Sequence, residues 1–68
     1  MALALIDVEV LETTEESILV SDGIFEVWVP RNLIVENHRD SEVMRDAEQD
    51  EDGVLVLQDR KARELGLV

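Results

Sequence analysis

Between Leu5 and Glu12 the chain alternates: Ile6, Val8 and Val10 fall on one side, Leu5, Asp7, Glu9 and Leu11 on the other. Successive side chains of an extended backbone point to opposite faces, so a period of two predicts a half-buried strand facing inward through its even positions. The outward face of that strand already carries acids, and the pattern continues. Asp7, Glu9, Glu12, Glu15, Glu16, Asp22 and Glu26 all precede the first basic residue, Arg31. From Glu36 to Asp52, eight more carboxylates stand against only Arg39 and Arg45, within a total formal charge of −11. Such a field repels phosphates, whose binding needs Lys and Arg. Direct nucleic-acid binding is therefore not expected, and the expected partner is the basic surface of another protein.

The rest of the chain continues the β pattern. Thr13 to Glu16 is polar and ends the first run; Ile18, Leu19 and Val20 then lead through Ser21-Asp22-Gly23 into Ile24 to Val29. Asp-Gly between two β-rich runs predicts a hairpin, because glycine accepts the positive φ of a tight turn. Alternation puts Phe25, Val27 and Val29 on one face and Glu26 and Trp28 on the other. Pro30 lacks an amide donor and should end the strand or lie on a sheet edge. Leu33-Ile34-Val35 reads as a turn and a short strand. The acidic stretch 40–52 reads as a loop or a short helix capped by Asp40 or Ser41. Gly53 reopens extended structure in Val54-Leu55-Val56-Leu57, and Arg60 to Leu65 reads as a helical turn closed by Gly66.

Together these elements predict one mostly β domain over 1–68, a small antiparallel β-barrel or curled sheet of four to five strands with a short C-terminal helical turn. Its expected core is Ile6, Val8, Val10, Ile18, Val20, Phe25, Val27, Val29, Ile34, Val54, Val56 and Leu67. A chain of 68 residues buries little surface and commonly needs a disulfide, a metal or a second copy. With no cysteine a disulfide is impossible, and with His38 as the single histidine and no thiolate a tetrahedral zinc site is almost excluded. Homodimerisation is the remaining route, and no cofactor is expected. Met1 to Ile6 is too short and uncharged for a signal peptide, and no run reaches the ~20 apolar residues of a membrane span. A soluble, cytoplasmic protein is the expectation.

Three segments carry a resemblance. They are Thr14-Glu15-Glu16-Ser17-Ile18-Leu19-Val20, Trp28-Val29-Pro30-Arg31-Asn32-Leu33-Ile34 and Ala62-Arg63-Glu64-Leu65-Gly66-Leu67. In this order and spacing they resemble a family of short domains encoded by bacteriophages and prophages. Glu16 stands where that family commonly has lysine, and Arg60 and Lys61 stand where it usually has a tryptophan ahead of the terminal motif. The resemblance implies a small β domain of phage or mobile-element origin in the cytoplasm of a bacterial host, and supplies no site residues.

Candidate partner-binding residues follow from the charge pattern. Asp7 and Glu9, two apart on a strand, project on one side at about 6.6 Å, close to the spacing of neighbouring phosphates on a nucleic-acid strand. With Glu26, Trp28, Asp46, Glu48, Asp50, Glu51 and Asp52 they form the expected binding set. Its function would be that of a non-enzymatic inhibitor occupying the basic groove of a nucleic-acid-binding host protein, as anti-CRISPR or anti-restriction proteins do. The bland alternative is that the acids only keep a tiny domain soluble. Trp28 is either an exposed anchor or the cover of a second face or dimer seam. A structural or accessory dimerisation module in phage replication, recombination or assembly is a second functional reading.

A third is calcium binding. Glu48, Asp50, Asp52, Gly53 and Asp59 fall on the offsets of a twelve-residue calcium loop, with Glu at the first position and the shorter Asp at the twelfth. His38 sits in a polar stretch without a nucleophile pattern around it. Because so short a chain has little room for a concave pocket, catalysis is not expected.

Overall fold

The computed structural model describes residues 2–67. They form β1 (Leu3–Thr13), β2 (Ser17–Ser21), β3 (Glu26–Pro30), a single 3-10 turn (Arg31–Leu33), β4 (Asp52–Gln58) and α1 (Asp59–Glu64). The four strands make one antiparallel sheet in the order β3-β2-β1-β4. The long first strand is shared: its N-terminal part pairs with β4 from Leu3 to Glu9, its C-terminal part with β2 from Glu9 to Thr13. As the alternation predicts, Val8 and Val10 are buried and Ile6 packs partly against the same core; Ala4, ahead of the run read from the sequence, is buried with them.

That alternation breaks at one place. The register runs Val10↔Val20 and then Glu12↔Leu19, leaving Leu11 as an extra residue in a β-bulge. A bulge reverses which face the following side chains take. Glu12 is thereby placed on the face of Leu19, opposite to the face strict alternation assigns it.

The hairpin between β2 and β3 forms as expected, with Gly23 at φ +98. Asp22 organises it: its carboxylate accepts from the backbone N–H of Ile24 at 2.9 Å and of Phe25 at 2.8 Å. The loop extends through Phe25, which leaves the ring 63% exposed instead of in the expected core. Pro30 ends β3, and the 3-10 turn follows where a turn and a strand were expected; Ile34 and Val35 form no strand among the described residues.

In β4 the inward residues are Leu55 and Leu57, not Val54 and Val56. Pairing Asp7 with Val54 and Val8 with Gly53 fixes this phase, because directly paired residues share a face. Val56 is fully buried outside the main cluster, and its carbonyl accepts from the Val35 N–H at 2.9 Å.

One face of the sheet is covered by the crossover from residue 34 to 51, through Ile34, Val43 and Ala47, and by α1 and its C-terminal turn, through Ala62 and Leu67. The crossover has neither helix nor regular strand. It bonds to the outer edge of β4, where Glu42 and Val43 both donate to the Val54 carbonyl at 3.1 Å and Val43 forms a parallel bridge to Leu55. Arg31 latches it down: its guanidinium donates to the carbonyls of Thr14, Arg45 and Ala47. The α1 helix stops at Gly66, φ +82, with Leu67 N–H donating to the Ala62 carbonyl at 2.9 Å and Gly66 N–H to that of Arg63 at 3.1 Å. This is the paired bonding of a Schellman ending.

The expected barrel or strongly curled sheet does not form: β3 and β4 end the sheet and do not meet. Closure is unnecessary here because crossover and helix, rather than a second half of sheet, cap the core. The opposite face has no such layer over β1, β2 and β3, where Leu5 and Trp28 stay exposed; among the described residues only Val56 of β4 is buried there.

Candidate protein-binding surface

The open face is built by the odd positions of β1 up to Glu9, by Leu19 and Ser21 of β2, by Glu26 and Trp28 of β3 and by Asp52 and Val54 of β4. Register places Glu26 beside Ser21, Ser21 beside Glu9 and Glu9 beside Asp52. One row of side chains therefore crosses all four strands as Glu26, Ser21, Glu9, Asp52. At about 4.8 Å between strands it spans about 14 Å. Asp7 stands next to Glu9 along β1, about 6.6 Å away. A shallow open depression of about 400 Å³ lies along this row, lined by Asp7, Val8, Glu9, Ser21, Asp52 and Gly53. The four carboxylate residues are exposed.

Apolar side chains flank the row. On one side Trp28 pairs with Leu19, and Leu19 with Glu12; on the other lie exposed Leu5 and half-buried Val54, while Val56, paired with Leu5, is fully buried. Trp28 is 44% exposed on the same face as Glu26, so its alternation from Val27 and Val29 is as the sequence predicts.

The basic residues lie elsewhere in the architecture. Among the described residues, the ion pairs are Arg45 with Glu36 (3.9 Å), Lys61 with Glu64 (3.3 Å), Arg63 with Asp59 (2.9 Å) and, if protonated, His38 with Asp40 (4.0 Å). None involves Asp7, Glu9, Glu26 or Asp52. The Asp22 carboxyl is held below its ordinary value by the N–H groups of Phe25 and Ile24.

Of the expected binding set, Asp7, Glu9, Glu26, Trp28 and Asp52 are brought onto one face. Asp46, Glu48, Asp50 and Glu51 are exposed on the crossover instead. Asp50 takes a positive φ of 70, and the Asp50 N–H and Glu51 carbonyl bond to Val10 at 2.9 and 2.7 Å, which continues the β1–β4 ladder past its last regular pair. Sequence reasoning missed Ser21 and Glu12 as members of the open face. A turn dipeptide after Ser21 drew attention to the hairpin, and only the bulge turns Glu12 outward.

The calcium-loop spacing does not close. Asp52 begins β4 and Asp59 follows its last residue, so an extended strand of about 23 Å separates them. Among the described residues, no cluster of three or more His, Cys, Asp or Glu is arranged to hold a metal ion, and no helix is long and apolar enough to cross a membrane.

The chain matches no known protein family, no curated protein and no solved structure.

Proposed function

We propose that this protein is a non-enzymatic interaction module whose open sheet face docks onto a cationic protein surface. The observation that carries this reading is the transverse row Glu26, Ser21, Glu9, Asp52 with Asp7 beside it, exposed and without an internal cationic partner among the described residues. Carboxylates about 5 Å apart from Glu9 to Asp52, about 7 Å from Asp7 to Glu9 and about 10 Å from Glu9 across Ser21 to Glu26 approach the charge spacing of a nucleic-acid strand, so the natural receptor is a groove built to hold DNA or RNA. Occupying that groove inhibits its owner. In this reading the protein comes from a phage or mobile element and acts in the bacterial cytoplasm on a host nucleic-acid-binding protein, in the manner of an anti-CRISPR or anti-restriction factor. Trp28 and Leu19 supply apolar contact beside the charges, where an aromatic anchor is most effective.

The test is capture from host lysate followed by titration with salt. Wild-type protein should recover a nucleic-acid-binding protein, with affinity falling at least tenfold between about 0.05 and 0.5 M salt as the Debye length contracts. The combined variant Asp7→Asn, Glu9→Gln, Glu26→Gln, Asp52→Asn should lose that binding, while neutralising Asp46, Glu48 and Glu51 should not. Capture that ignores both salt and the open-face variant contradicts the reading.

A further inference from the structure

The stagger of the sheet leaves a second feature that the acidic row does not use. Backbone N–H and C=O groups of a strand residue point to the same side, alternating along the chain. In β1 the even positions point toward β4: Val10 N–H donates to Glu51, the Asp50 N–H donates to Val10, and the Ala2 carbonyl accepts from Asp59. The odd positions must then point toward β2. But β2 begins its pairing only at Glu9↔Ser21. On that side the N–H and C=O groups of Leu3, Leu5 and Asp7 face no strand, and no hydrogen bond among the described residues uses them. The result is a notch in the sheet, floored by the edge of β1 and ended by the tip of the β2–β3 hairpin.

Apolar side chains gather around it. Leu3 and Leu5, 37% and 47% exposed, project from its floor strand onto the open face, and Ile24, 81% exposed, is carried with Phe25 on the hairpin tip. Proteins usually guard an open edge with Lys, Pro or a bulge. β3, the outer edge strand, has Glu26 and Pro30. The open part of β1, Leu3-Ala4-Leu5-Ile6-Asp7, has only one charge and neither proline nor bulge, since the bulge lies further on at Leu11.

We propose that the notch is filled by the same edge of a second copy of this chain, the two β1 strands pairing antiparallel about a two-fold axis at Leu5. The segment is self-complementary in this register. Leu5 faces the partner's Leu5 and can exchange both main-chain hydrogen bonds with it, while Leu3 and Asp7 pair with the partner's Asp7 and the partner's Leu3. All three unpaired positions are thereby satisfied, within the open stretch and short of Ser21. Shifting the register to put the axis at Asp7 would set like charges face to face and leave Leu3 and Leu5 unpaired. On the covered face, half-buried Ile6 meets the partner's Ala4, a large residue against a small one. The sheet becomes continuous across both copies with both acidic rows on one side. This inference is independent of what the row binds.

Hydrogen exchange tests it directly. In the dimer, the amides of Leu5 and Asp7 are protected along with those of Ile6 and Val8; in a monomer, Ile6 and Val8 are protected and Leu5 and Asp7 exchange freely. Sedimentation should show a dimer that tightens with added salt, because both copies carry −11. That is the opposite salt response to partner binding by the acidic face, so failure of one proposal is distinguishable from failure of the other.

Because the chain has no cysteine, Leu5→Cys should oxidise to a covalent dimer, its Cα atoms about 5.5 Å apart. Glu9→Cys, about 26 Å from its counterpart along the strands, should not cross-link. Leu5→Glu should raise the dimer Kd at least tenfold with an unchanged far-ultraviolet spectrum. If that variant unfolds, the exchange pattern of the wild type still decides. A monomer at every concentration with free Leu5 and Asp7 amides overturns the proposal. So does protection that arises only when another polypeptide is added.

Discussion

The two faces of this sheet are made by the same strands and do opposite things. The covered face spends its side chains on packing: Val8, Val10, Ile18, Val20, Val29, Leu55 and Leu57 meet Ile34, Val43, Ala47, Ala62 and Leu67, with no buried charge. The open face carries Asp7, Glu9, Glu26 and Asp52. The division also runs along the chain, since every basic residue follows Pro30 and the bases with assigned contacts serve crossover and helix. Arg31 illustrates it: the first cation in the sequence holds the crossover against the Thr14 turn. Charge here is sorted by task, with bases binding the covering layer together and open-face acids making no contribution to it.

The sharpest way to break this contrast is to truncate a large side chain on each face. Leu55→Ala on the covered face should cost about 2–5 kcal/mol, enough to unfold much of so small a domain. Trp28→Ala on the open face removes a bigger side chain yet should cost only about 1 kcal/mol, because the ring is already half exposed and loses mainly its cross-strand pair with Leu19. Urea titration of both variants orders them; equal losses would mean that the open face is structural.

Gly53→Ala should fall between them, at about 1–3 kcal/mol. A Cβ there would stand 2.6 Å from the Glu42 Cβ, at the place where crossover meets β4. Chemical denaturation of this variant alone and with Glu42→Gly isolates the clash, since the second substitution should restore part of the loss.

The smallest effect separates acids by role. Asp22 is stabilised as a carboxylate by its N–H donors, so its folded pKa lies below the ordinary 3.8. Its contribution is present above that value and disappears as pH falls through the depressed folded pKa. Asp22→Asn should therefore flatten the acid limb of a stability-against-pH curve below about pH 4, and an NMR titration should place this carboxyl below its ordinary 3.8. Glu9→Gln should shift stability by no more than about 0.5 kcal/mol at neutral pH.

Where polar and apolar residues alternate, the sequence was informative. Ile6, Val8 and Val10 against Asp7 and Glu9 made β1 legible, Asp22-Gly23 the hairpin, Pro30 the end of β3 and Gly66 the end of α1. The misreadings have physical causes. Val54-Leu55-Val56-Leu57 is apolar throughout, so its phase depends on partners, and pairing with β1 turns the leucines inward. Leu11 gives no local sign that it is the extra residue, yet it reorients Glu12. Between 34 and 51 the core contributions of Val43 and Ala47 are single residues in polar surroundings, held by the Val54 carbonyl and the Arg31 guanidinium rather than by any local pattern. The acidic face was partly legible for the same reason as β1, while the row across strands depends on a register that adjacent residues do not encode.

Because β1 and β4 are neighbours, Ala2 and Asp59 meet at one end of their ladder, 3.0 Å apart from carbonyl oxygen to amide nitrogen. A force drawing those two points apart acts across the ladder and loads its rungs in succession, so the first and last strands peel like a zip from that end. Tension applied instead between Ala2 and the far end of β4, near Asp52, runs along the strands and loads the rungs together. The same pair of strands should therefore be weak to the first pull and strong to the second, which single-molecule stretching from engineered attachment points can read.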